Sequence, residues 1–147
     1  MLNFRFKGGT MPGLGQNHRV LIIDDAPNVS DTLALIFSKN GYDARVAYSA
    51  EQAIEIIAEW EPDLAIVDVV LPQMNGIDLA LVLKANHPAC RVLLFSGEEI
   101  TADLVTRAAN EGNVFEVLAK PVHPAFILET AANLLASNPK GYIGNSA

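Results

Sequence analysis

The stretch Val20-Leu21-Ile22-Ile23-Asp24-Asp25-Ala26-Pro27 decides the fold of this chain. Four consecutive aliphatic residues read as a strand with both faces buried. Two carboxylates close the run. Pro27 then suits the first position of a helix, where its missing N–H has no intrahelical partner to lose. A buried strand, an acidic turn and a helix start therefore follow one another directly.

Working outward, the same order recurs. Leu64-Ala65-Ile66-Val67 is followed by Asp68, Val92-Leu93-Leu94-Phe95 by Ser96, and Val117-Leu118-Ala119 by Lys120-Pro121. These runs predict strands over residues 20–24, 64–68, 91–96 and 114–119. Asp43-Ala44-Arg45-Val46-Ala47 is less apolar and reads as an edge strand.

Helical spacing fills the intervals. Val29, Leu33, Ile36 and Phe37 share one predicted inner face, and Gly41 ends that helix. Ser49-Ala50-Glu51-Gln52 matches a capping box, with Ala53, Ile54 and Ile57 on the following stripe. A third helix, apolar nearly all round, is expected over residues 77–86. A fourth begins near Thr101, and a fifth begins at Pro124 with Ile127, Ala131, Leu134 and Leu135 inward. Five β–α alternations of this length predict an α/β fold: a parallel sheet covered on both sides and wound by right-handed crossovers.

Bulk properties agree with one globular domain. The chain has 147 residues, of which 50% are hydrophobic and 18% charged. Its net charge is −7, and the acids lie beyond the first 19 residues, which hold Arg5, Lys7 and Arg19 and no acid. An acidic body argues against direct nucleic-acid binding and suits the collection of a divalent cation. The single cysteine, Cys90, excludes an intramolecular disulfide, and it reads as a small buried strand residue. Neither a signal peptide nor a membrane span is evident, so a soluble cytoplasmic protein is expected. Residues 1–18 read as a flexible leader, 19–136 as the domain and 137–147 as a tail.

The polar residues that close the strands carry the chemistry. Ligands bind at the carboxyl edge of an open parallel sheet, and here that edge receives three carboxylates, a hydroxyl and an ammonium. Asp24-Asp25 reads either as a solvated turn or as a pair sharing a hard divalent ion, with Mg²⁺ the best fit. Asp68 lies deep in apolar sequence, where an unpartnered carboxylate is costly. It reads as a cap or loop acceptor, or as a metal-bound carboxylate able to attack phosphorus. Lys120 is suited to offset the surplus negative charge and hold a phosphoryl oxygen, and Ser96 to donate a hydrogen bond to another.

With its members in the order Asp-Asp, Asp, Ser, Lys at successive strand ends, the chain resembles the receiver domain of bacterial two-component response regulators. The likeness runs over residues 19–136 and includes Leu71-Pro72-Gln73-Met74-Asn75-Gly76, Leu93-Leu94-Phe95-Ser96-Gly97 and Ala119-Lys120-Pro121. It implies a flavodoxin-like (βα)5 three-layer sandwich with strand order 2-1-3-4-5. It further implies Asp68 as phosphoacceptor, and Asp24, Asp25, Asp68 and the Val70 carbonyl as Mg²⁺ ligands. Ser96 and Lys120 would sense the phosphoryl group, and the Lys120-Pro121 peptide would be cis. Val70 and Glu98 match positions that tune the phosphoryl lifetime.

By the same resemblance the protein is a phosphoacceptor signalling domain, not an enzyme acting on other substrates. Its phosphoryl donor would be a sensor histidine kinase or a histidine phosphotransfer protein. The short tail suggests a stand-alone receiver acting on an effector protein by contact, without direct nucleic-acid or membrane binding. The surface formed by the fourth helix, fifth strand and fifth helix would serve output or dimerisation. One departure stands out: the family often has an aromatic ring three residues before the lysine, where this chain has Val117. Phe115 shares the strand face of Val117 but lies further from the site. A hydroxyl-driven loop movement is therefore expected without a swinging ring. Three rival readings are a phosphatase of the haloacid-dehalogenase type, an FMN-binding flavodoxin-like module and a receiver-shaped domain that is never phosphorylated. The first normally places its nucleophile in a D-x-D motif near the start, and the second needs a hydroxyl-rich first loop.

Overall fold

A computed structural model describes residues 17–97, 106 and 115–136. Its strands are β1 (Arg19–Ile23), β2 (Asp43–Ala47), β3 (Leu64–Asp68), β4 (Arg91–Ser96) and β5 (Glu116–Ala119). The helices among the described residues are α1 (Pro27–Lys39), α2 (Ala50–Glu59), α3 (Gly76–Asn86) and α4 (Pro124–Ala136). The helix expected from Thr101 lies outside the described residues apart from Thr106, which is helical. The expected leader and tail, save Asn17 and His18, and Glu98 also lie outside them.

All strand pairs are parallel, in the order β2-β1-β3-β4-β5. The predicted strand order and doubly wound α/β class are both observed. Period-two alternation along β1 sends Leu21 and Ile23 into one core and Val20 and Ile22 into the other. The first core is closed by Ala53 and Ile57 of α2 and by Leu79 and Leu83 of α3. The second is closed by Leu33 and Phe37 of α1 and by Ile127 and Ala131 of α4. Every residue of β3 is buried, as a central strand covered on both faces requires. Cys90 is buried, and its thiol is pushed up to about 12 by desolvation and then by the charges of Asp63 and Glu61.

Two expected inner positions face outward. Val29 in the first turn of α1 is 36% exposed, and Ile54 of α2 is 43% exposed. Val29 lies near the carboxyl edge, where it borders a cleft with Lys120, Pro121 and Val122 instead of meeting the sheet. The α2 capping box is present in altered form. Ser49 Oγ accepts from Gln52 N at 3.0 Å, while Gln52 Oε1 accepts from Tyr48 N at 2.6 Å, one residue earlier than the usual reciprocal bond.

Candidate functional site

The carboxyl ends of β1, β3, β4 and β5 meet in one acidic pocket. Asp24 follows β1 directly, and its backbone N–H donates to the Ala47 carbonyl at the end of β2. The residue is 2% exposed, and Oδ1 accepts from Ala26 N at 2.9 Å, fixing the turn into α1. Ala26, the N-cap residue of α1, has no side-chain acceptor of its own, so no side-chain cap closes that helix start. Asp25 is exposed.

Asp68 ends β3 and is 7% exposed. Its Oδ1 accepts from Val70 N at 3.1 Å. Its Oδ2 accepts from Lys120 Nζ at 3.0 Å, and the same ammonium reaches Asp24 Oδ2 at 3.4 Å. Lys120 is held from behind, where its backbone N–H donates to the Ser96 carbonyl at 2.9 Å. Its ammonium also lies 5.7 Å from the centre of the Phe95 ring, within cation–π range. The Lys120-Pro121 peptide is cis.

Asp24, Asp25 and Asp68 each offer a carboxylate oxygen within 4.8 Å of the other two. Three hard oxygen donors so close suit a small divalent cation. A single ammonium against three carboxylates leaves surplus negative charge for that cation to neutralise, so the donor set fits Mg²⁺. Burial raises the Asp68 pKa, and the neighbouring Asp24 charge adds to the rise. The hydrogen bonds from Lys120 and Val70 oppose it without cancelling it. Burial of Lys120 disfavours its charged form, but the Asp68 hydrogen bond and the two carboxylate charges outweigh this and raise its pKa.

The other expected residues fall as follows. Ser96 ends β4 fully buried, one step beyond Phe95, the register partner of Asp68, and its hydroxyl donates to the Gly97 carbonyl at 2.8 Å. Val70 is half exposed in the loop after β3. Val117 packs against the core on the α2 and α3 side. Phe115 precedes β5, buried under Lys84, whose Nζ lies 5.6 Å from the ring centre. Phe115 and Lys120 thus occupy opposite ends of the strand.

Sequence reasoning missed one backbone requirement. A Cβ at Gly76 would come within 2.1 Å of the Asp68 carbonyl oxygen and 2.7 Å of the Val69 Cα. Only glycine lets the start of α3 pack against the backbone that presents Asp68. The signal was visible in the turn-like Pro72-Gln73-Met74-Asn75-Gly76, but pattern alone gave no contact.

Comparison with known proteins bears on the family and the fold. The family model of the response regulator receiver domain matches residues 20–132. The DNA-binding response regulator MtrA of Mycolicibacterium smegmatis is 31% identical over 106 residues, covering 72% of the chain and 45% of MtrA. The transcriptional activator protein ExaE of Pseudomonas putida is 34% identical over 121 residues, covering 81% of the chain and 56% of ExaE. The chain therefore spans about half the length of these curated relatives. Among solved structures, a CheY-like receiver domain protein from Methanospirillum hungatei superposes with a TM-score of 0.77 at 25% identity, covering 86% of the chain and 99% of that protein.

Proposed function

The chain belongs to the response regulator receiver domain family, and from that premise we propose that Asp68 accepts a phosphoryl group from a sensor histidine kinase or a histidine phosphotransfer protein. The observation that carries this reading is the position of one Asp68 oxygen. It lies 3.0 Å from the Lys120 ammonium, within a cluster whose two other carboxylates can share a cation with it.

In the reaction a carboxylate oxygen of Asp68 attacks phosphorus in line. A new O–P bond forms as the P–N bond of the phosphohistidine breaks, and the imidazole leaves with the electron pair. With a small acyl phosphate the P–O bond breaks instead and a carboxylate leaves. Asp24, Asp25, Asp68 and the Val70 carbonyl would hold Mg²⁺, which when bound supplies positive charge to the phosphoryl oxygens. Lys120 is tethered to the backbone of β4, so its ammonium is positioned in advance to stabilise those oxygens. The product replaces the single charge of the carboxylate with about −2 on the phosphoryl group, and Lys120 then turns from Asp68 to the phosphoryl group. The buried Ser96 hydroxyl exchanges its Gly97 acceptor for a phosphoryl oxygen, drawing the following loop with it. Val70 and Glu98 tune the lifetime of the acyl phosphate, and Val117 leaves the fifth strand without a swinging ring.

The output is a change of protein contacts in the cytoplasm. The surface of the fifth strand and the helix after it is the face to examine for an effector or a second copy. No helix among the described residues is long and apolar enough to cross a membrane. The test is incubation with Mg²⁺ and a small acyl phosphate, followed by intact-mass measurement. Wild type should gain one phosphoryl group and Asp68→Ala none. An adduct that persists in the alanine variant would move the acceptor elsewhere.

A further inference from the structure

The loop from Val69 to Asn75 carries a strained turn tied to a neighbouring helix. Gln73 has φ 71°, in the left-handed region that glycine usually occupies. The Met74 N–H donates to the Pro72 carbonyl at 2.8 Å, closing a γ-turn on Gln73. With φ positive this is the rare and strained form of that turn, and such strain persists only where the surroundings hold it. A glycine would relieve it, but the glutamine side chain makes a contact that glycine cannot.

That contact is with α2. With its amide oriented to satisfy both groups, Gln73 donates to Glu51 Oε2 at 2.6 Å and Oε1 at 3.3 Å. Glu51 stands in the first turn of α2. The N-terminus of α2 is itself anchored by the Ser49–Gln52 and Gln52–Tyr48 bonds, and the Tyr48 hydroxyl donates to Asp31 of α1 at 2.7 Å. The loop is therefore moored at both ends of its arc. At its inner end, Val69 N donates to the Phe95 carbonyl and Gly76 N to the Val69 carbonyl. At its outer end, the Gln73 amide is fastened to α2.

We propose that Gln73 and Glu51 form a positioning pair that holds the loop after β3, and Val70 within it, in the conformation that receives the divalent cation. This rests on the reading of Asp68 and its neighbours as a cation-assisted phosphoacceptor site. Neither side chain touches the reacting atoms, and both act through the backbone between Asp68 and Gly76.

The test is Mg²⁺ binding by calorimetry on the unphosphorylated protein, with acyl-phosphate labelling and urea unfolding measured in parallel. Gln73→Gly keeps the net charge and permits the turn, so it removes the tether alone. It should weaken Mg²⁺ binding about ten-fold while the urea midpoint stays near wild type. Glu51→Ala should weaken binding to a similar degree, and the double variant no further, because both remove one interaction. Glu51→Gln loses the charge but keeps an acceptor, and should bind like wild type, which separates tethering from simple charge attraction. Wild-type affinity in Gln73→Gly, or strictly additive losses in the double variant, would overturn the pairing alone. A wild type that neither binds Mg²⁺ nor takes a phosphoryl group would overturn the reading of the site as well.

Discussion

The Lys120 ammonium donates to Asp68 across an intervening strand: β4 separates β3 from β5, yet Nζ lies 3.0 Å from Oδ2. The same ammonium is 3.4 Å from Asp24, so one lysine offsets two buried carboxylates while a third, Asp25, stands beside them. Removing it leaves two buried like charges facing each other. We expect Lys120→Met to destabilise the metal-free protein by about 2 kcal/mol at pH 7, less than for a fully buried pair because the ammonium is partly exposed. The Lys120 pKa is raised on folding, so its stabilising contribution is complete below the ordinary lysine value, about 10.4. It is lost as pH rises through the folded value. Urea unfolding of the two proteins should therefore converge at strongly alkaline pH, and a gap independent of pH would contradict this account.

Asp68 carries the opposite consequence. Its pKa is also raised, chiefly by burial, so its favourable contribution exists below the ordinary carboxylate value, about 3.9, and is lost as pH rises through the folded value. At neutral pH the ionised group is a cost of the site. Asp68→Asn should be more stable than wild type at pH 7 by about 1 kcal/mol, because Lys120 keeps Asp24 as a partner. The difference should close as the solution is acidified toward pH 4. An asparagine variant less stable than wild type at pH 7 would show that the Lys120 bond outweighs burial.

Divalent cation should do for the wild type what the asparagine does. A ligand that binds only the folded state stabilises it by about 2.7 kcal/mol at a hundred times its dissociation constant. Thermal unfolding should therefore rise with added Mg²⁺ and not with a monovalent salt of equal ionic strength. Asp25 is exposed, so Asp25→Ala should leave the cation-free protein nearly unchanged yet lose most of the Mg²⁺ response. An undiminished response in that variant would remove Asp25 from the cation site.

Much of this arrangement is written in the sequence because it depends on one-dimensional rules. Val20 to Ile23 and Leu64 to Val67 announce buried strands by unbroken apolarity, and the charged residue that closes each run marks the sheet edge. Other features depend on distances between segments. Whether Lys120 meets Asp24, Asp68 or both follows from the stagger of three strands, which spacing does not encode. Val29 and Ile54 fit a helical stripe, but whether a stripe residue is buried depends on how far the helix overlaps the sheet. Gln73 carries no sign of its left-handed backbone, because the favoured residue there would be glycine, and its partner Glu51 lies in α2, a separate segment of the chain.

Gly76 gives the most local prediction. A methyl group there would lie 2.1 Å from the Asp68 carbonyl oxygen and 2.8 Å from the Asp68 carbonyl carbon. Both obstacles are backbone, so neither can swing aside, and either α3 must withdraw or the end of β3 must shift. Gly76→Ala should cost about 3 kcal/mol in urea unfolding, as overpacking against a fixed wall does. The protein that remains folded should take a phosphoryl group more slowly, because the Asp68 carboxylate moves with its backbone. Gly97 supplies the control: among the described residues nothing lies within 4 Å of a Cβ placed there, so Gly97→Ala should leave stability within about 0.5 kcal/mol of wild type. Equal tolerance of alanine at both glycines would show that the start of α3 does not pack on Asp68 as closely as described.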